Sequence, residues 1–118
     1  MGHVTAKAIV KGPAQELEIE FLVDTGAFYT ILTPAMWRLL GIEIQATEPA
    51  RMADNRSLEM PIGIARIAIN GRGTTVLVGQ IDTPMPYLGV SALEALGLKV
   101  NPIEGTLEPA RPFPEVLQ

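Results

Sequence analysis

An apolar run of β-branched and aromatic residues ends abruptly on a carboxylate. Residues 17–20 alternate as Leu-Glu-Ile-Glu, and Phe21, Leu22 and Val23 are continuously apolar. Asp24-Thr25-Gly26-Ala27 then breaks the run before Phe28-Tyr29-Thr30-Ile31-Leu32 resumes it. This pattern predicts a strand that enters a core from a sheet edge, then a tight turn. Apolar residues on both sides are expected to bury that turn. A buried carboxylate is costly unless neighbours hold it and chemistry uses it. Thr25 can fix the loop through its hydroxyl, and Gly26 can offer a backbone N–H to a carboxylate oxygen. These are parts of an acid/base site, yet only one acid is present.

Most of the remaining sequence also reads as strands. Residues 4–11 alternate, with Val4, Ala6, Ala8 and Val10 on one face, and Gly12-Pro13-Ala14 forms a turn. Residues 51–60 predict a hairpin around Asp54-Asn55. Residues 62–69 predict a strand, Asn70-Gly71 a tight turn and residues 74–81 the returning strand. Glu16, Glu18 and Glu20 form a solvated face. Trp37 is expected to pack, and Asp82, followed by Thr83-Pro84, reads as a strand-end or turn residue.

Two short helices stand out. Thr33 is a good N-cap with Pro34 at the first helical position, and Gly41 ends the helix. Ser91 and Glu94 have capping-box spacing, and Gly97 terminates the second helix. A short strand is expected after each, at residues 41–44 and 97–100. The chain therefore looks pseudo-twofold, with Asp24-Thr25-Gly26 leading into the first helix as Tyr87-Leu88-Gly89 leads into the second.

Composition narrows the function. A chain of 118 residues is expected to form one domain, here 1–118, with a flexible, proline-rich tail over 108–118. The net charge of −4 argues against nucleic acid as a partner. No apolar run is long enough to span a bilayer, and Lys7 and Lys11 interrupt any signal-peptide core, so a cytoplasmic protein is expected. The absence of cysteine excludes thiolate chemistry, and a single histidine, His3, argues against a His-rich metal site. No metal or cofactor is expected.

Residues 21–32 resemble the catalytic loop of retropepsin-like aspartic proteases: an apolar lead-in, Asp-Thr-Gly-Ala, then Thr-Ile-Leu. Tyr87-Leu88-Gly89 and the helix after it resemble the second signature of that family, and the Asp54-Asn55 hairpin takes the place of the flap. The resemblance covers about residues 4–107 and is strongest to small single-domain prokaryotic members. It implies a mainly β, barrel-like acid protease fold with two short helices. It also implies a homodimer in which each subunit supplies one aspartate across a twofold axis. In that reading Asp24 is catalytic, Thr25 buttresses the two loops and Gly26 contributes its backbone.

Two carboxylates a few Å apart share a proton: one polarises a water, the other donates toward the scissile carbonyl. Substrate would meet Ala27, Phe28, Tyr87 and Leu88 below and Met52, Ala53, Asp54 and Asn55 of the flap above. Phe28, Tyr29 and Val90 depart from viral members, which carry an acid after the Asp-Thr-Gly-Ala and an arginine after the second glycine. This paired change predicts an apolar contact in place of an ion pair. Pro109, Pro112 and Pro114 make the tail a poor interdigitating strand. The alternative class is a peptide-binding or dimerisation module of the same fold without turnover. Glycoside hydrolysis is disfavoured because it needs two differently tuned acids per site.

Overall fold

The structure is a computed structural model that describes residues 3–52 and 54–114. Its strands are β1 (Thr5–Lys11), β2 (Glu16–Asp24), β3 (Thr30–Leu32), β4 (Ala46–Arg51), β5 (Ser57–Ile69), β6 (Arg72–Gln80), β7 (Tyr87–Gly89), β8 (Leu98–Asn101) and β9 (Thr106–Pro109). The helices are α1 (Pro34–Leu40) and α2 (Val90–Leu96). Seven strands form one sheet in the order β1-β2-β7-β3-β6-β5-β4, and a β1–β5 pairing closes the first six into a barrel. β4 pairs only with β5 and stands outside the ring as the flap hairpin.

Local chemistry explains most of these elements. The Asn70-Gly71 turn has positive φ at both residues, as a two-residue hairpin requires. Asn55 at the flap tip also has positive φ. Thr33 caps α1 by accepting from the Met36 N–H at 3.3 Å, and both helices end on a left-handed glycine, Gly41 and Gly97. The inward residues of β1, β2, β5 and β6 join Leu32, Leu40, Leu88 and Leu96 in the larger core. Trp37 is buried there and donates its indole N–H to the Gly79 carbonyl at 3.3 Å. A smaller cluster of Ile31, Met60 and Ile62 lies under the flap.

The pseudo-twofold is present, but its halves align differently from the sequence expectation. β2 and β6 each have nine residues, β3 and β7 each have three, and α1 and α2 each have seven. β2 runs parallel to β7, pairing Asp24 with Gly89, and β3 runs parallel to β6, pairing Leu32 with Gln80. Thus β7 repeats β3 rather than the Asp-Thr-Gly turn, and the symmetry counterpart of Asp24 is Gln80.

Three local expectations need correction. Residues 41–44 form no strand; one backbone bond, Gln45 N–H to Ile62 O at 2.8 Å, guides the chain into β4. Ser91 does not cap α2: Gly89 takes that position, and the Ser91 hydroxyl donates to the Phe28 carbonyl. The tail is not loose along its first part. Residues 106–109 pair with β8, the Ala110 N–H donates to Gly97 O at 2.7 Å, and the Arg72 guanidinium donates to the carbonyls of Leu96, Gly97 and Arg111.

Candidate active site

Asp24 is the last residue of β2, so its position is set by the ladder with β7. Its Oδ1 accepts from the Gly26 N–H at 3.0 Å, and its carbonyl accepts from the Ala27 N–H at 3.1 Å. The loop then docks on the start of α2: the Val90 N–H donates to Ala27 O at 2.7 Å, and the Ser91 N–H to Phe28 O at 3.2 Å. Thr30, 1% exposed, accepts the Gly89 N–H on its hydroxyl at 3.2 Å. This close approach requires a glycine at 89, because a Cβ there would lie 2.4 Å from the Tyr29 carbonyl oxygen.

The turn itself is not buried, contrary to expectation. Asp24 is half-buried, and Thr25 and Gly26 are exposed. Full burial stops short of the turn: Phe21 and Leu32 are 0% exposed in the core, but Phe28 beside the turn is 59% exposed.

Beside Asp24 lies a cavity of about 450 Å³. Ala27, Phe28, Tyr29, Ile31 and Tyr87 line it from the barrel, with Met60 and Ile81; Pro49, Ala50, Arg51 and Met52 line it from the flap. Of the residues expected to meet substrate, Ala27, Phe28, Met52 and Tyr87 therefore share this groove with Asp24. Leu88 does not: it is 0% exposed and belongs to the larger core, because alternation along β7 turns it away from Tyr87. Asp54 and Asn55 sit at the flap tip outside the cavity wall, where Asp54 pairs with Arg56 at 2.6 Å and Asn55 accepts from Arg51 at 2.9 Å. Ala53 lies outside the described residues.

Hydrogen bonds hold the loop that carries Phe28 and Tyr29 to the start of α2. Phe28 and Tyr29 meet edge to face with ring centroids 5.1 Å apart, and Ser91 holds the Phe28 carbonyl. Tyr29 donates its hydroxyl to the Glu48 carboxylate on β4. That bond, then partial burial and the Glu48 charge, raise the Tyr29 pKa above its ordinary value of 10.0.

The gag-polyprotein putative aspartyl protease family model matches residues 10–95, more than two-thirds of the chain and both glycine signatures. The chain belongs to that family. No curated protein matches the sequence. Among solved structures, EIAV protease complexed with the inhibitor HBY-793 aligns with a TM-score of 0.70 at 22% identity, covering 85% of this chain and 93% of that one. A retropepsin-like aspartic protease from Rickettsia conorii aligns with a TM-score of 0.65 at 22% identity, covering 85% of this chain and 77% of that one. The closed barrel with two helices is thus the retropepsin fold.

Sequence reasoning missed two residues that hold this aspartyl protease-family site, Thr30 and Glu48. Thr30 carried a signal, as a polar residue inside an apolar strand. Glu48 carried none, because its place follows from how the flap folds. Among the described residues no cluster of His, Asp or Glu could hold a metal ion, and no helix is long and apolar enough to cross a membrane.

Proposed function

We propose that this protein is a homodimeric aspartic endopeptidase that cleaves extended peptides with a water activated by Asp24 of two subunits. The observation that carries the reading is that the two equivalent strand ends of the chain offer a single acid between them. Asp24 stands at the end of β2 beside Gly89 in an exposed turn, while its symmetry counterpart within the chain is the amide Gln80. A second copy would bring the missing acid and cover Thr25 and Gly26. The ionised carboxylate polarises the water, and the protonated one donates to the carbonyl oxygen as the tetrahedral centre forms. The Gly26 N–H holds one Asp24 oxygen in place. The peptide occupies the apolar groove beneath the flap, with Asp54 and Asn55 at the flap tip closing over it.

The test is cleavage of a denatured, mixed-sequence protein by wild type and Asp24→Asn, each checked for folding and for dimerisation by sedimentation. The near-isosteric amide cannot share or pass the proton, so cleavage should fall about a thousandfold or more with fold and dimer retained. Equal turnover by both proteins would exclude the mechanism. A folded, dimeric wild type that cleaves nothing would point to a peptide-binding or dimerisation module.

A further inference from the structure

The flap strand β4 is bonded to the body along one edge only, through its ladder with β5. Its side chains are exposed except for half-buried Ala50. Burial therefore does little to hold it down. The Tyr29–Glu48 hydrogen bond supplies the missing tie. Glu48 sits opposite Met60 in the β4–β5 ladder, and Met60 is buried in the small cluster with Ile31 and Ile62. Met60 fits there because position 79 carries no side chain: a Cβ on Gly79 would lie 2.6 Å from its sulfur. Tyr29 packs against the same cluster.

The two ends of this tie differ in rigidity. Tyr29 leaves a loop fixed on both sides, by Ala27 and Phe28 to the start of α2 and by buried Thr30 to Gly89. Glu48 leaves an edge strand. A bond between a fixed point and a hinged strand sets the position of the strand.

We propose that Tyr29 and Glu48 are a positioning pair that latches the flap strand down over the groove beside Asp24. The role in turnover rests on the peptidase reading; the latch itself does not. Closing the flap grips the peptide, so the pair acts on substrate binding more than on the chemical step.

The experiment measures amide exchange in the Asp24→Asn background, where no self-cleavage intervenes, for the unaltered latch, Tyr29→Phe, Glu48→Ala and the double variant. Tyr29→Phe keeps the ring and removes only the donor. It should speed exchange across residues 46–51 about fivefold, as loss of an exposed bond to a charged acceptor predicts. The double variant should do no more than either single one, because all three lose the same bond. Exchange in the β1–β2 hairpin should not change. Unchanged exchange in Tyr29→Phe, additive effects of the two substitutions, or faster exchange throughout the barrel would each overturn the latch. In active protein, Tyr29→Phe should raise KM about fivefold with kcat within about twofold; unchanged KM with normal cleavage would remove its role in turnover. Faster flap exchange in a wild-type background that cleaves nothing would keep the latch and defeat the peptidase reading instead.

Discussion

β2, β3 and α1 on one side of the pseudo-twofold axis are built like β6, β7 and α2 on the other, yet the two halves present different chemistry. One half ends its nine-residue strand on Asp24, the other on Gln80. Beside Asp24 lies a glycine, Gly89; beside Gln80 lies Leu32, which is fully buried. In the half with the acid, the glycine lets the backbone of Phe28 and Tyr29 pack against the strand end; in the half with the amide, a leucine side chain is buried there. A shared backbone plan positions both strand ends, while side-chain volume and charge decide which of them can work. The same contrast holds after the helices. Residues 42–45 run from α1 into the flap, whereas β8 after α2 pairs with β9 and the chain returns to Arg72.

The largest test of this contrast compares the two strand ends directly. Asp24→Asn should abolish cleavage, whereas Gln80→Ala should leave kcat/KM within about threefold, under 1 kcal/mol of transition-state stabilisation. Mixing excess Asp24→Asn chains with wild type under subunit exchange should also poison activity, because mixed dimers hold one ionisable carboxylate. Cleavage kinetics on both variants and across the mixing series check this. Comparable losses from the two substitutions, or no poisoning by the inactive chain, would mean that one chain completes its own site.

A smaller effect separates the two glycines near Asp24. A Cβ at position 89 would meet backbone oxygens of Tyr29 and Phe28 at 2.4 and 2.6 Å, which cannot yield without moving the catalytic loop. Gly89→Ala should therefore cost about 3 kcal/mol. At position 26 the nearest atom is the Asp24 Oδ1 at 3.3 Å, a side-chain atom in an exposed turn. Gly26→Ala should cost under about 1 kcal/mol of stability while displacing the carboxylate. Denaturant midpoints at one fixed protein concentration measure both, since the proposed dimer would make stability concentration-dependent. Equal losses at the two positions would mean that the loop does not rest on α2 as described.

The barrel was readable in the sequence where local chemistry and tertiary pairing agree. Alternation in β1, β2 and β5, the Asn70-Gly71 turn, and the Thr33-Pro34 start of α1 each name their structure without help from afar. Reading failed where a local pattern lacked its partner. Residues 42–44 alternate like a strand, but they pass over Gly63, where Ile42 packs so closely that a Cβ would lie 2.5 Å from it, and only Gln45 reaches the β5 backbone. Ser91 and Glu94 have capping-box spacing, but the end of β7 starts α2 two residues earlier and the Ser91 hydroxyl is taken by Phe28. In the candidate site, Asp24 announces itself by breaking an apolar run. Leu88 was misplaced because a three-residue strand gives too little alternation to tell its faces apart. Tyr29 and Glu48 are 19 residues apart, and only the folded flap brings them together.

The smallest expected effect sharpens the comparison between the two tyrosines of the groove. Tyr29 gives its proton to a carboxylate, so ionising it would break a hydrogen bond and place a second negative charge beside Glu48. Tyr87, on the strand that repeats β3, has a neutral partner, the Thr83 hydroxyl at 3.3 Å. In a spectrophotometric titration Tyr29 should ionise above its ordinary value of 10.0, mainly because of the hydrogen bond to Glu48, with burial and the Glu48 charge adding to it. The sign for stability follows from linkage. A raised pKa in the folded state means that folding favours the protonated phenol. The contribution is complete below the unfolded value near 10 and is lost as pH rises through the folded one. Its contribution should therefore not vary with pH near neutrality and should change only in strong alkali, as a faster loss of stability with rising pH in wild type than in Tyr29→Phe. Glu48→Gln should return the Tyr29 titration toward its ordinary range. A Tyr29 that ionises at or below 10.0, with Glu48 unaltered, would show that the flap strand does not hold Glu48 against it in solution.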